Sequence, residues 1–159
     1  MSGDIRLEPV TDAGWLDGFI GEHWGKPGVV TRGRLWSGRD LRAIRAMEGD
    51  DLAGVVSWRP DPADWELISL NSLKPNRGIG TRLTDTAVEL ARRAGARRLW
   101  LITTNDNLDA LRFYQRRGWR IVAVHVGAIG ESRRIKPSIA EIGAYGIPIR
   151  DEIELEYPL

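Results

Sequence analysis

The chain has no cysteine. That absence excludes disulfides, thiolate metal sites and covalent catalysis through a cysteine nucleophile. Its two histidines, His23 and His125, have no carboxylate or histidine at ligand spacing, so they read as packed or solvated residues and imply no metal. Charge of one sign is also missing. With 23 Lys and Arg against 22 Asp and Glu, the formal net charge of +1 gives no field to recruit nucleic acid or an anionic membrane. No apolar run approaches the ~20 residues that cross a bilayer, and the start, Met1-Ser2-Gly3-Asp4-Ile5, lacks the basic-then-apolar pattern of a secretion signal. A cytoplasmic location is expected.

What is present is an ordinary globular composition, 42% apolar and 28% charged over 159 residues, enough for one core and too short for two comfortable ones. A single domain, 1–159, is expected. Ile5 to Val10 alternates as a half-buried strand; Thr11 or Asp12 caps a helix whose apolar face is Trp15, Leu16, Phe19 and Ile20. The segment 29–36 has an extended composition. Two apolar runs, 41–48 and 52–58, flank Gly49-Asp50-Asp51 and read as an antiparallel hairpin.

The stretch from Trp65 to Trp119 organises the rest. Residues 65–73 read as a strand, Pro75-Asn76-Arg77-Gly78-Ile79-Gly80 as a turn, and Leu83, Ala87, Leu90, Ala91 and Ala94 as the apolar face of a helix. A strand feeding a helix through glycines leaves the first helical N–H groups free to meet an anion. Two familiar phosphate turns are excluded: no Gly-Lys-Ser/Thr follows, and position 83, where a dinucleotide fingerprint wants glycine, is Leu83. Residues 97–104 then form a mostly apolar strand parallel to the first. Asn105 or Asn107 caps the next helix, and Gly118 suits its left-handed end. Strands follow at 119–126 and 152–157; the latter alternates Glu152, Glu154 and Glu156 with Ile153, Leu155 and Tyr157, so its acidic face is expected to be wet. The segment 127–150 carries Gly130, Pro137, Gly143, Gly146 and Pro148 and reads as a long connection, either a functional lid or wall or a site of disorder.

The glycine turn is followed by Asn107-Leu108-Asp109-Ala110-Leu111-Arg112-Phe113-Tyr114-Gln115-Arg116-Arg117-Gly118-Trp119. The two motifs, in that order, resemble those of the GNAT superfamily, the acyl-CoA-dependent N-acyltransferases. The resemblance implies an α/β single domain: a central mixed, mostly antiparallel sheet with one parallel strand pair at the CoA site, flanked by helices. It also implies acetyl-CoA as co-substrate, a small-molecule or protein amine as acceptor, and direct transfer in a ternary complex. Homodimerisation is left open. By the same resemblance, the main chain of Ser72, Leu73 and Lys74 pairs with pantetheine; Arg77, Gly78, Ile79, Gly80, Thr81 and Arg82 surround the pyrophosphate; and Asn107, Ala110 and Phe113 shape the pantetheine slot. The turn here is tighter than the family's usual one.

The chemistry asks for two proton movements. An alkyl amine of pKa near ~10 must lose a proton before it attacks, and the CoA thiolate must gain one. Tyr114 matches the family's proton donor; the competing reading is a tyrosine packed beside Phe113. Glu66 is the candidate base, directly or through water, against a solvated edge glutamate. Ser69, Asn71 and Asp106 are lesser alternatives, and Trp24, Arg32 and Trp36 are candidates for the acceptor pocket. Two other readings share these residues: a non-catalytic CoA-binding regulatory module, and an interaction protein that kept the fold.

Overall fold

A computed structural model describes residues 3–159; Met1 and Ser2, the head of the N-terminal stretch read above, lie outside the described residues. The chain runs β1 (Ile5–Pro9), α1 (Ala13–Trp24), β2 (Val29–Thr31), β3 (Arg34–Trp36), β4 (Arg42–Glu48), β5 (Asp51–Trp58), β6 (Asp64–Ser72), α2 (Ile79–Arg93), β7 (Arg98–Thr104), α3 (Leu108–Arg116), β8 (Arg120–His125), α4 (Ala128–Ile135) and β9 (Glu152–Tyr157). The main sheet has seven strands in the order β1-β4-β5-β6-β7-β9-β8. Only β6 and β7 run parallel among its described neighbours.

Two cores hold the layers together. On one face, the α2 stripe of Leu83, Ala87 and Ala91, all 0% exposed, packs with Val56, Leu67, Leu99 and Leu155. On the other, Leu16, Phe19 and Ile20 of α1 cover Val55, Ile68 and Trp36. α1 starts at Asp12, whose carboxylate accepts from the N–H groups of Gly14 and Trp15, the bond that makes aspartate a good cap.

Two expectations change, and a third gains an element. The segment 29–36 is not one extended run but the tight hairpin β2–β3, turned at Arg32 (φ 48°) and Gly33 (φ 75°). A left-handed arginine is strained by about 1–2 kcal/mol; its backbone N–H and guanidinium both bond Glu152, at 3.1 and 2.9 Å, which offsets that strain. The acidic face of β9 is not wet. β9 lies between β7 and β8, Glu152 is 1% exposed, and Arg98 and His125 pair with Glu154. Although burial opposes it, the hydrogen bonds from His125 and Arg98 hold Glu154 below the ordinary carboxylate range. Lastly, 127–150 contains α4, anchored where the Ile129 N–H donates to the Arg150 carbonyl, and this segment forms a wall of the cavity described next.

Candidate active site

β6 and β7 are in register only from Asp64–Leu67 against Arg98–Leu101. Beyond that they separate. A bulge starts the separation: Trp58 faces Leu67 and Ser57 faces Ser69, so Ile68 is an extra residue on β6 and re-aims everything after it. From Ile68 to Ser72 the β7-facing edge of β6 has no strand partner, which leaves backbone groups open to an extended ligand. The wedge opens into a cavity of about 350 Å³ whose lining includes Thr31, Ser69, Thr103, Asn107, Tyr114 and Lys136.

At the mouth of the wedge stands the start of α2. Gly78 takes φ 67° to turn the chain into the helix, a conformation glycine adopts without cost. No described backbone acceptor takes the N–H groups of Gly78, Ile79, Gly80 or Thr81; together with the helix dipole they suit a phosphate. Gly80 is tight for a second reason: a Cβ there would lie 3.2 Å from the Phe113 ring. The basic side chains of the turn are otherwise engaged. Lys74 bonds Glu48 at 2.7 Å, Arg77 pairs with Glu48 and donates to the Gly3 carbonyl, and Arg82 donates to the Ile5 carbonyl. So these cations are engaged with the protein, and the unpaired backbone N–H groups are the donors the turn leaves open. Arg117 bridges the helices instead. It donates to Thr81 Oγ1 and the Phe113 carbonyl, each at 2.9 Å.

α3 contributes the inner wall. The Asn107 side chain accepts from the Ala110 N–H at 3.2 Å, which starts the helix and leaves its amide N–H₂ for the cavity. The Tyr114 ring is packed edge-on against Phe113 and Trp119, yet the residue lines the cavity. Burial pushes its phenol up, so it stays protonated at neutral pH. Its hydroxyl is therefore a hydrogen-bond donor.

Glu66 is 2% exposed, not a solvated edge residue. Its Oε2 accepts from Thr31 Oγ1 at 2.7 Å, and Thr31 in turn accepts from Trp36 Nε1 at 3.0 Å. Burial raises its pKa from the ordinary 4.5 to about 7, with the Thr31 hydrogen bond and Arg59 opposing and Asp64 and Glu152 adding to the rise. Thr31 lines the cavity, so one residue stands between the carboxyl and that space. No sequence pattern singled out Thr31. Of the lesser candidates, Ser69 lines the cavity and bonds Ser57, Asn71 accepts from Trp24 Nε1 at 2.8 Å, and Asp106 accepts from the Ala144 N–H at 2.9 Å and from Thr104. Of the pocket candidates, Trp24 lines the cavity, Arg32 backs it through Glu152, and Trp36 lies in the core under α1. His23 packs on Phe19, and His125 bonds Glu154 across the sheet.

Known proteins are similar to this chain in sequence and fold. The Acetyltransferase (GNAT) family matches residues 14–119. The chain is 40% identical over 139 residues to an uncharacterized protein, YdhI, of Bacillus subtilis (strain 168), covering 87% of each chain. Its fold matches an IAA acetyltransferase from Bacillus cereus ATCC 14579 with a TM-score of 0.73 at 22% identity, covering 98% of this chain and 100% of that one. It also matches a GNAT acetyltransferase from Elizabethkingia anophelis with acetyl-CoA bound, with a TM-score of 0.72 at 19% identity and 98% of each chain covered. The chain therefore belongs to the Acetyltransferase (GNAT) family and is an acyltransferase.

Proposed function

We propose that the chain moves the acetyl group of acetyl-CoA to a primary amine by direct transfer in a ternary complex. The observation that carries this is the wedge between β6 and β7, with the open N–H groups of α2 at its mouth and the Tyr114 phenol in its wall. Acetyl-CoA supplies the activated acyl carbon. Its pantetheine would lie along the free edge at Ser72, Leu73 and Lys74, passing Asn107 and Ala110, and its pyrophosphate would sit on the turn from Arg77 to Arg82, read by backbone rather than by the occupied side chains. The amine nitrogen forms a bond to the acyl carbon and the carbon–sulfur bond breaks. The amine's proton leaves towards Glu66 through Thr31 or a water, and Tyr114 protonates the departing thiolate. A base of pKa about 7 suits that task at neutral pH.

The acceptor side is walled by α1, the β2–β3 hairpin and α4, which favours a small molecule over a protein segment. The test uses the missing cysteines: a thiol reagent reports released CoA with no background from the protein. Amine-dependent CoA release on a panel of amino acids, polyamines and aminoglycosides supports transfer. Acetyl-CoA binding with no turnover on any amine points instead to a regulatory CoA-binding module, and no binding at all overturns both.

A further inference from the structure

The charged side chains lining the cavity are Glu152 and Lys136, and they differ in state. Glu152 is neutralised, both oxygens being taken by Arg32. Lys136 is 9% exposed and donates to the Trp24 carbonyl at 2.6 Å, but no carboxylate among the described residues pairs with it. That carbonyl closes the end of α1, where the helix dipole offers only about half an elementary charge. An ammonium has three donors, so two directions and a net positive charge remain. Burial lowers its pKa, the sign of a charge short of compensation. Ile129, Ile139 and Ile149 of the same wall are apolar, so water is a poor substitute for a counter-ion there.

We propose that Lys136 anchors the acceptor, and that the acceptor is an amine bearing a carboxylate: an amino acid or a similar small zwitterion, held by its acid end against α1 and α4 with its amine turned to Thr31 and the wedge. This deepens the acyl-transfer reading above and rests on it. One uncompensated charge matches a monoanion; a dianionic phosphate would leave a negative charge unmatched among apolar walls. A lone ammonium also matches a carboxylate without the forked geometry an arginine imposes.

The probes are glycine, β-alanine, 4-aminobutyrate, 6-aminohexanoate and phenylalanine, each paired with its carboxamide. CoA release gives kcat and KM, and calorimetry gives binding of each compound to the CoA-loaded protein. In at least one pair the acid is expected to exceed the amide by tenfold or more. Lys136→Gln keeps a donor for the Trp24 carbonyl but removes the charge, so it should bring that ratio close to one, mainly through KM, with CoA affinity unchanged. Lys136→Arg, which keeps the charge, should retain a preference. Acids that bind through Lys136 but are never acetylated would sustain the anchor and sink the transfer reading. Transfer without any acid preference, or a preference that survives in Lys136→Gln, overturns the anchor and leaves transfer standing. Absence of an acid preference in both readouts overturns it as well.

Discussion

Burial raises the pKa of both Glu66 and Tyr114, with unlike consequences. A raised carboxyl is a base able to act near neutrality, whereas a raised phenol keeps its proton and is a weaker acid than a free tyrosine. If Glu66 takes the amine's proton, kcat/KM should rise with pH through about 7, and Glu66→Gln should abolish that limb with a loss of up to roughly 10²–10⁴-fold. A pH profile of the variant identical to the wild type would remove Glu66 from the proton path. The same shift has a stability signature. Between 4.5 and about 7 the folded state holds a proton that the unfolded state has released, so this contribution is complete at low pH and is lost as pH rises through 7. At about 1.4 kcal/mol for each tenfold change in proton affinity, the rise corresponds to roughly 3 kcal/mol, and Glu66→Gln should flatten that part of the unfolding curve. Tyr114→Phe separates acid from packing, because the ring keeps its edge contacts with Phe113 and Trp119 while the proton is deleted. Acetyl-CoA affinity should hold while kcat falls, by at most roughly 10²–10⁴-fold, since a thiolate is already a fair leaving group. Wild-type kcat would defeat the assignment; joint loss of affinity and thermal stability would show the residue to be a packing element.

At the scale of elements, α2 carries the clearest prediction. Gly80→Val places branched carbons where even a Cβ lies 3.2 Å from Phe113, between the free N–H groups and the wall of the slot. Calorimetric titration should show at least a tenfold loss of acetyl-CoA affinity with helix content retained; undiminished affinity in a folded variant would take the turn out of the cofactor site. These elements were legible because their signals are local. The α2 stripe of Leu83, Ala87 and Ala91, the cap at Asn107 and the left-handed Gly118 (φ 93°) are all specified within a few residues of themselves. β9 was misread for the opposite reason. Alternation of Glu152, Glu154 and Glu156 with apolar residues reports a two-faced strand, but whether the polar face meets water depends on distant partners, here Arg32 and Arg98. Thr31 was missed on the same ground, since only the fold brings it to Glu66 across 35 residues. α4 was hidden by the glycines and prolines around it, and with it Lys136, whose partner is a carbonyl 112 residues away.

For the molecule as a whole, the sheet is the weakest-joined at its functional place. β1, β4, β5 and β6 form one antiparallel half and β7, β9 and β8 the other, and the seam is the short parallel register from Asp64–Leu67 to Arg98–Leu101. Elsewhere one apolar core that includes Leu83 of α2, Leu67 of β6 and Leu99 of β7 spans both halves, while α2 itself packs mainly on β4, β5 and β6. A ligand lying in the seam, bonded to the free edge of β6 and touching α3 on the β7 side, would tie the halves where their own hydrogen bonds stop. Binding to the folded state alone stabilises it by about 2.7 kcal/mol at 100 times Kd, and for a chain of this size each kcal/mol moves Tm by about 2–4 °C. Saturating acetyl-CoA should therefore raise Tm by roughly 5–11 °C in differential scanning calorimetry, rising further with the logarithm of ligand concentration. Adenosine 3′,5′-bisphosphate, which has the nucleotide but no pantetheine to enter the seam, should give a much smaller rise at the same concentration. An equal rise with both compounds would mean that the seam contributes nothing to binding, and the wedge between β6 and β7 would lose its place as the acyl site.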